Sequence, residues 1–387
     1  MHIFISTGEV SGDLQGALLV EALKRQGEIL GIELQITGIG GKRMSEAGCK
    51  IIDDTTRISS FGIIESLPYL LVNWQMQSRV KEYLKQNPPD ILILIDYLEP
   101  NLGIGSDIRR NYPQVPIIYY IAPQIWVWSP LLKRNRQILE ITDRLLAIFP
   151  EEANFFTKQG LSVSWVGHPL LDRMANAPNR ETARKILEID SQKTVITLLP
   201  ASRQQELTYL LPEIFAAAQK LQEKLKEVEF LIPLSVTNFR EPIAKAITKY
   251  NLQATIIENK TLEALAAADL AITKSGTVNL ELALLNVPQV VIYRLNAITA
   301  WIAKKVLKFY VPFVSPANLV SMEPVVPELL QEEANPQRIV EESLDLLSNP
   351  ERQNKTITGY GKLRQKLGKR GACDRAAKEI LEFSKGE

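Results

Sequence analysis

A succession of short, unbroken apolar runs, each followed by a helical pattern, constrains this chain more than any other feature. In the first half the runs are "HIFIST" (2–7), "ELQITGIGG" (33–41), "DILILID" (90–96), "VPIIYYIAP" (115–123), "RLLAIFP" (144–150) and "SVSWVGHP" (162–169). In the second half they are "TVITLLP" (194–200), "VEFLIPLS" (228–235), "ATIIE" (254–258), "LAITKSG" (270–276) and "PQVVIYRL" (288–295). Strands without polar alternation suit parallel sheets buried on both faces. Strand, helix and strand repeated in this way predict right-handed βαβ units in doubly wound sheets. A chain of 387 residues is long for one core, so two such α/β domains are expected.

The polar stretch "RMANAPNRETARK" (173–185) separates the two series and reads as the linker. The expected domains are therefore 1–172 and 186–345. A strand-free, charged helical segment, 346–387, then packs back or is exchanged between two copies. Two open α/β domains leave a cleft between them, and ligands in such folds bind beyond the carboxyl ends of the strands. The chemistry is sought in the loops there.

The opening stretch "FISTGEVSGDLQGALL" (4–19) carries glycines at 8, 12 and 16, with Ser11 placed to cap a following helix. A dinucleotide fingerprint needs G-x-G-x-x-G and an acid ending the second strand. Residue 10 is valine and the second run ends in "GIGG", so both requirements fail. A structural turn and a loop for a sugar or nucleotide sugar remain. In "ILILIDYLEPN" (91–101), Asp96 ends a buried strand and Glu99 follows three residues later. A carboxylate there suits general-base work, and equally a helix cap or an ion pair. In "LLPASRQQEL" (199–208), Ser202 and Gln205 have capping-box spacing. Arg203 beside those amides makes a fork suited to a diphosphate, or is only a surface charge. In "AITKSGTVNLELALLNVP" (271–288), Ser275, Gly276 and Thr277 turn into a helix whose first turn carries Glu281, a candidate for ribose hydroxyls.

Lysine plus arginine (45) nearly balance aspartate plus glutamate (44), which gives no footprint for nucleic acid. Cys49 and Cys373 lack metal-ligand spacing and read as free thiols in a reducing compartment. Neither histidine lies in a ligand pattern; His168 is assigned a structural or supporting role. No metal and no cofactor are expected. The N-terminal strand lacks a basic leader, so no signal peptide is expected, and no apolar run reaches the ~20 residues a spanning helix needs.

Taken together, "GEVSGDLQGA", "GIGGKRMSEAG", "FGIIESL", "YYIAPQIWVW", "FPEEANFF", "WVGHPLLD", "LLPASRQQE", "SGTVNLELAL" and "VPELLQEE" resemble the lipid-A-disaccharide synthase family from residue 3 to about 335. The resemblance implies two Rossmann-like domains in the GT-B arrangement. It also implies an inverting glycosyltransferase that moves a diacylated glucosamine from UDP to diacylglucosamine 1-phosphate. A β-1,6-linked disaccharide and UDP are the products. It assigns the acceptor to the N-terminal half and UDP to the C-terminal half. Asp96 is then the candidate base. Arg203, Glu281 and Asn318 (in "VSPANLV") lie toward the donor, with Ser202, Ser275, Gly276 and Thr277. Glu9, Ser11, Gly12, Asp13 and Glu99 lie toward the acceptor.

The sequence departs from the family in Glu99 for aspartate, Pro100 for phenylalanine, Ala201 for the glycine of "PGSR", and "SPAN" for "SLPN". Alanine at 201 bears a cost if the backbone there needs positive φ. Because the implied substrates are lipids, a cytoplasmic enzyme on the inner face of the inner membrane is expected. Phe61, Ile63, Ile64, Leu67, Leu70 and Leu71 are its candidate membrane and acyl contacts, alongside the basic "WIAKKVLKF" (301–309), or else a core helix face. A homodimer is implied as well. The rival readings are another GT-B enzyme using a UDP-sugar, such as a 2-epimerase, and a non-catalytic homologue that binds lipid or nucleotide sugar.

Overall fold

A computed structural model describes residues 1–56, 70–123, 132–234, 236–296 and 312–383. The chain divides into two compact units, 1–173 with 367–387, and 174–366.

The first unit is built on a parallel sheet of seven strands. They are β1 (His2–Ser6), β2 (Gln35–Gly40), β3 (Lys50–Asp54), β4 (Ile91–Ile95), β5 (Ile117–Tyr120), β6 (Arg144–Ala147) and β7 (Val163–Trp165). Their order is β3-β2-β1-β4-β5-β6-β7. The strand β4, "ILILI", is buried at every residue, as its unbroken apolar run requires. Helices cover both faces, and apolar side chains of Leu70–Gln86 (Met76, Val80, Leu84) and Leu98–Asn111 (Leu102, Ile104, Ile108) enter the core with Leu92, Leu94 and Tyr119.

The second unit repeats the plan with six parallel strands: β8 (Thr194–Leu199), β9 (Val228–Pro233), β10 (Ala254–Ile257), β11 (Leu270–Lys274), β12 (Gln289–Tyr293) and β13 (Glu328–Leu330). Their order is β10-β9-β8-β11-β12-β13. Each sheet reverses its winding beside its first strand, between β1 and β4 and between β8 and β11. Those are the topological switch points at which doubly wound folds bind ligands.

The stretch 173–185 is less of a linker than its polarity suggests. The boundary falls after Arg173, and Arg180–Ile186 is a helix of the second unit, capped by Asn179. Arg184 is buried there. It donates to the carbonyls of Ala267 (3.0 Å), Ser191 (2.9 Å) and Lys193 (3.0 Å) and pairs with Asp269 (2.7 Å).

The C-terminal helices also divide. Pro336–Ser348 and Pro350–Lys366 belong to the second unit, whereas Ala372–Phe383 returns to the first and packs along Glu9–Leu30. Asp172 seats that last helix by accepting the amides of Gly371 and Cys373 (2.9 Å for the latter). Arg375 adds bonds to the Val166 carbonyl at 2.9 and 2.7 Å.

Candidate functional site

In the first unit the loops after β1 and β4 flank the switch point. The expected glycine-rich loop is short, because a helix begins at Glu9 with Gly8 as its N-cap, without a side-chain cap. Ser11 is therefore inside the helix and does not cap it. Gly12 and Gly16 are helical too. A helix tolerates them at about 1 kcal/mol each, and they pack closely: a Cβ on Gly12 would lie 2.1 Å from Thr7 Oγ1. Gly8 has extended backbone (φ −137°) and is glycine for want of space, since a Cβ there would lie 2.4 Å from the Tyr97 ring.

Asp13 is a structural residue in this arrangement. Its buried carboxylate accepts the amides of Gly41 (2.8 Å), Met44 (3.0 Å) and Arg43 (3.1 Å), capping the helix Lys42–Glu46. Glu9 lies near the half-buried Tyr97 phenol. Burial, with the Glu9 charge adding to it, pushes that phenol up to about 12.

Asp96 is exposed at the end of β4, and Glu99 is exposed in the first turn of the helix that follows. Asp96 and Tyr97 both have left-handed backbone, at φ 45° and 41°; so do Glu9 after β1 (φ 62°) and Ile121 after β5 (φ 63°). A β-branched residue there is a clear outlier, and such strain gathers at functional sites. The Asp96 amide donates to the Ile121 carbonyl at 2.9 Å. The Asp96 carbonyl accepts Asn101 Nδ2 at 2.7 Å and the Tyr119 hydroxyl at 3.0 Å.

Glu152, fully buried, ties the next two strand ends together. It accepts the amides of Ala122 (2.8 Å), Ile148 (2.8 Å) and Phe149 (3.3 Å). Burial pushes its carboxyl up to about 7 against the pull of those amides, with Asp96 adding slightly. His168 is buried nearby against the Phe149 ring, and burial pushes it down to about 3. Its Nδ1 accepts the Leu170 amide at 3.1 Å, as the neutral ring requires.

In the second unit, the loops after β8 and β11 take the corresponding places. The capping box there is shifted by one residue from its expected position. Arg203 is the N-cap of Gln204–Tyr209, and Glu206 rather than Gln205 reaches back, to the amides of Ser202 (2.6 Å) and Arg203 (3.1 Å) and to Ser202 Oγ (3.2 Å). Lys274, ending β11, lies 3.8 Å from Glu206. Tyr293, ending β12, feels both Arg203 and Glu206, although burial dominates in raising its phenol. The ends of three strands thus gather two cations, a carboxylate and a phenol. Ala201 is not among the residues with positive φ, so alanine sits there without backbone strain.

Ser275 Oγ donates to the Val314 carbonyl at 2.6 Å, and the Gly276 amide is taken by Asn279 Oδ1 at 2.8 Å. Thr277 is the N-cap of Val278–Leu284, on which Glu281 is buried.

Asn318 is a buried strut. Its Oδ1 accepts the amides of Val325 (2.8 Å) and Val326 (2.9 Å), and its Nδ2 donates to the Val326 carbonyl (2.9 Å) and to Glu328 (2.8 Å). That full complement leaves the side chain no hydrogen-bonding capacity for a donor. Phe61, Ile63, Ile64, Leu67 and the segment 301–309 lie outside the described residues. Leu70 and Leu71 begin the helix Leu70–Gln86, and their side chains too lie outside the described set. Further along that helix Trp74 is 68% and Val72 41% exposed. Among the described residues no group of His, Cys, Asp or Glu could hold a metal ion, and no helix is long and apolar enough to cross a membrane.

Asn101, Tyr119, Glu206, Lys274 and Tyr293 were not singled out in the sequence. The available signal was position, since Lys274 and Tyr293 are polar residues closing apolar runs at strand ends.

A family model described as Lipid-A-disaccharide synthetase matches residues 3–382. The chain is 59% identical over 383 residues to a protein named lipid-A-disaccharide synthase from Gloeothece citriformis, covering 99% of this chain and 100% of that one. It is 55% identical to the protein of that name from Synechocystis, covering 100% and 99%. Among solved structures, UDP-GlcNAc 2-epimerase from Neisseria meningitidis, bound to UDP-GlcNAc, aligns with a TM-score of 0.67 at 15% identity, covering all of both chains. MurG from Acinetobacter baumannii aligns at 0.58 and 15%, covering 98% of this chain and 99% of that one. At such identities these two likenesses show the shared fold.

Proposed function

The chain belongs to the lipid-A-disaccharide synthase family, and from that premise we propose how its two units divide the work of the glycosyl transfer. It is a glycosyltransferase of the lipid A pathway, joining two acylated glucosamines with release of UDP. We assign the acceptor, diacylglucosamine 1-phosphate, to the first unit and UDP-diacylglucosamine to the second.

One observation carries the assignment: each unit presents its candidate residue at the switch point of its own sheet, Asp96 after β4 and Arg203 after β8. Asp96 takes the proton of the acceptor's sugar hydroxyl as that oxygen bonds to the donor's anomeric carbon. The bond from that carbon to the UDP phosphate oxygen breaks in the same step, and the centre inverts. Arg203 and Lys274 offset the charge growing on UDP. With two cations at hand we propose that no metal takes part. Glu281 remains the candidate for the ribose. Asn318 and Asp13 act by holding loops rather than by touching substrate.

We further propose that the enzyme works at the cytoplasmic face of the inner membrane. Its lipid substrates lie there, and exposed Trp74 and Val72 continue the apolar stretch 61–71. A homodimer would use the seat that Ala372–Phe383 already occupies on the first unit.

UDP release with both defined diacylated substrates tests the reading. Turnover that needs both substrates supports it. Release only with a soluble acceptor supports a different transferase, and binding of both substrates without release supports a non-catalytic homologue.

A further inference from the structure

The carbonyl of Asp96 is held more firmly than a strand end requires. Two successive non-glycine residues, Asp96 and Tyr97, are left-handed, which side chains of this kind rarely adopt in sequence. The turn persists because both backbone polar groups of its first residue are fixed. The Asp96 amide donates to the Ile121 carbonyl at 2.9 Å. Its carbonyl accepts two buried side-chain donors, Asn101 Nδ2 at 2.7 Å and the Tyr119 hydroxyl at 3.0 Å. Asn101 is itself fixed, because its Oδ1 accepts Ser6 Oγ at 2.6 Å and its Nδ2 also reaches the Ile95 carbonyl at 3.1 Å.

We propose that Asn101 and Tyr119 are positioning residues that aim the Asp96 carboxylate for proton abstraction. The inference rests on the reading of Asp96 as the base. Without these donors the Asp96 peptide relaxes toward ordinary backbone and swings the carboxylate with it. Neither side chain needs to touch a substrate. Ser6, from β1, braces Asn101 across the switch point, so the first and fourth strands set the aim jointly.

A purely structural role would also account for the bonds, so the test must separate aim from stability. Tyr119→Phe keeps the ring and removes one donor; Asn101→Ala removes both bonds that Asn101 makes to the carbonyls. The full chain is assayed with both diacylated substrates, and folding is checked by UDP binding and by protection of the buried thiols of Cys49 and Cys373. The expected result is a kcat about tenfold lower for Tyr119→Phe and about a hundredfold lower for Asn101→Ala, with donor KM unchanged. In an Asp96→Asn background, Tyr119→Phe should leave the residual rate unaltered, because there is no base left to aim.

An unchanged kcat in folded Tyr119→Phe overturns the inference. So does the same tenfold loss in the Asp96→Asn background. Should Asn101→Ala fail to fold, Tyr119→Phe decides alone. Near-normal turnover by Asp96→Asn refutes the base reading itself, a result visible before either positioning variant is made.

Discussion

Glu152→Gln is expected to expose a pH dependence of stability that the wild-type first unit conceals. Two buried groups in that unit titrate in opposite senses. Burial raises Glu152 to about 7 from an ordinary 4.5, so between those values the native chain holds a proton that the unfolded chain has released. Stability from this group therefore falls as pH rises through that window. Burial lowers His168 to about 3 from 6.5, so below 6.5 the unfolded chain binds a proton that the native chain refuses. Stability from this group rises with pH up to about 6.5. From about 4.5 to 6.5 the two slopes oppose each other, at about 1.4 kcal/mol per pH unit each. Removing the Glu152 charge leaves the His168 slope alone, and the first unit should gain about 3 kcal/mol across those two pH units relative to wild type. Both cysteines of the chain, Cys49 and Cys373, are buried in this unit. Pulsed thiol labelling along a urea series at pH 4.5, 5.5 and 6.5 therefore reads its unfolding separately from the second unit. Parallel pH dependences in wild type and Glu152→Gln would refute the reasoning. His168→Asn should show the mirror image, with stability falling over the same range.

Three other outcomes are expected. Asp96→Asn should lower kcat by about 10²–10⁴ with little change in donor KM, the range for loss of a general base; initial rates of UDP release check it. Ala201→Gly should destabilise by up to about 1 kcal/mol through the unfolded chain, since Ala201 does not occupy positive φ; a gain in stability or rate would show that this turn wants a left-handed residue. Tyr360→Phe should destabilise the second unit by about 1–3 kcal/mol, because the Val287 carbonyl loses its donor at 3.0 Å and buried Gln289 loses an acceptor at 3.1 Å. Hydrogen exchange over β12 measures that loss.

The central strands were legible because burial on both faces leaves an unbroken apolar run, as in "ILILI" of β4. The strands that escaped notice, β3 "KIIDD" and β13 "ELL", lie at sheet edges, where short length and charge blunt an exposed ladder and erase the apolar signal together. The glycines at 12 and 16 suggested a loop because their helical cost is visible in sequence, whereas the Thr7 and Met44 side chains pressed against them are not. Asp96 and Arg203 stand out as candidates because each follows an apolar run, in the loops where such folds bind ligands. Glu206 and Asn101 do not, since nothing in the sequence tells which amide or carbonyl a side chain will reach. Nor does it tell that Asp13 and Asn318, candidates through the family resemblance, cap a helix and brace a loop.

The two units solve their positioning problems differently. In the first, left-handed non-glycine residues follow β1, β4 and β5, and each such residue costs about 1–3 kcal/mol. In the second, none of the three residues after β8, β11 or β12 has positive φ, the left-handed Asn259 and Gln331 lying instead after the edge strands β10 and β13; ordinary turns present Arg203 and Lys274 beside a capping carboxylate. The difference follows from how steeply each task depends on distance. Attraction between a cation and a diphosphate falls only as the inverse of separation, so a misplacement of 1 Å at 4 Å loses about a fifth of it. Proton abstraction fails over the same displacement, which costs about a hundredfold in rate. On the proposed assignment, strain is concentrated where one oxygen is to be aimed, and relaxed backbone serves where charge need only be gathered.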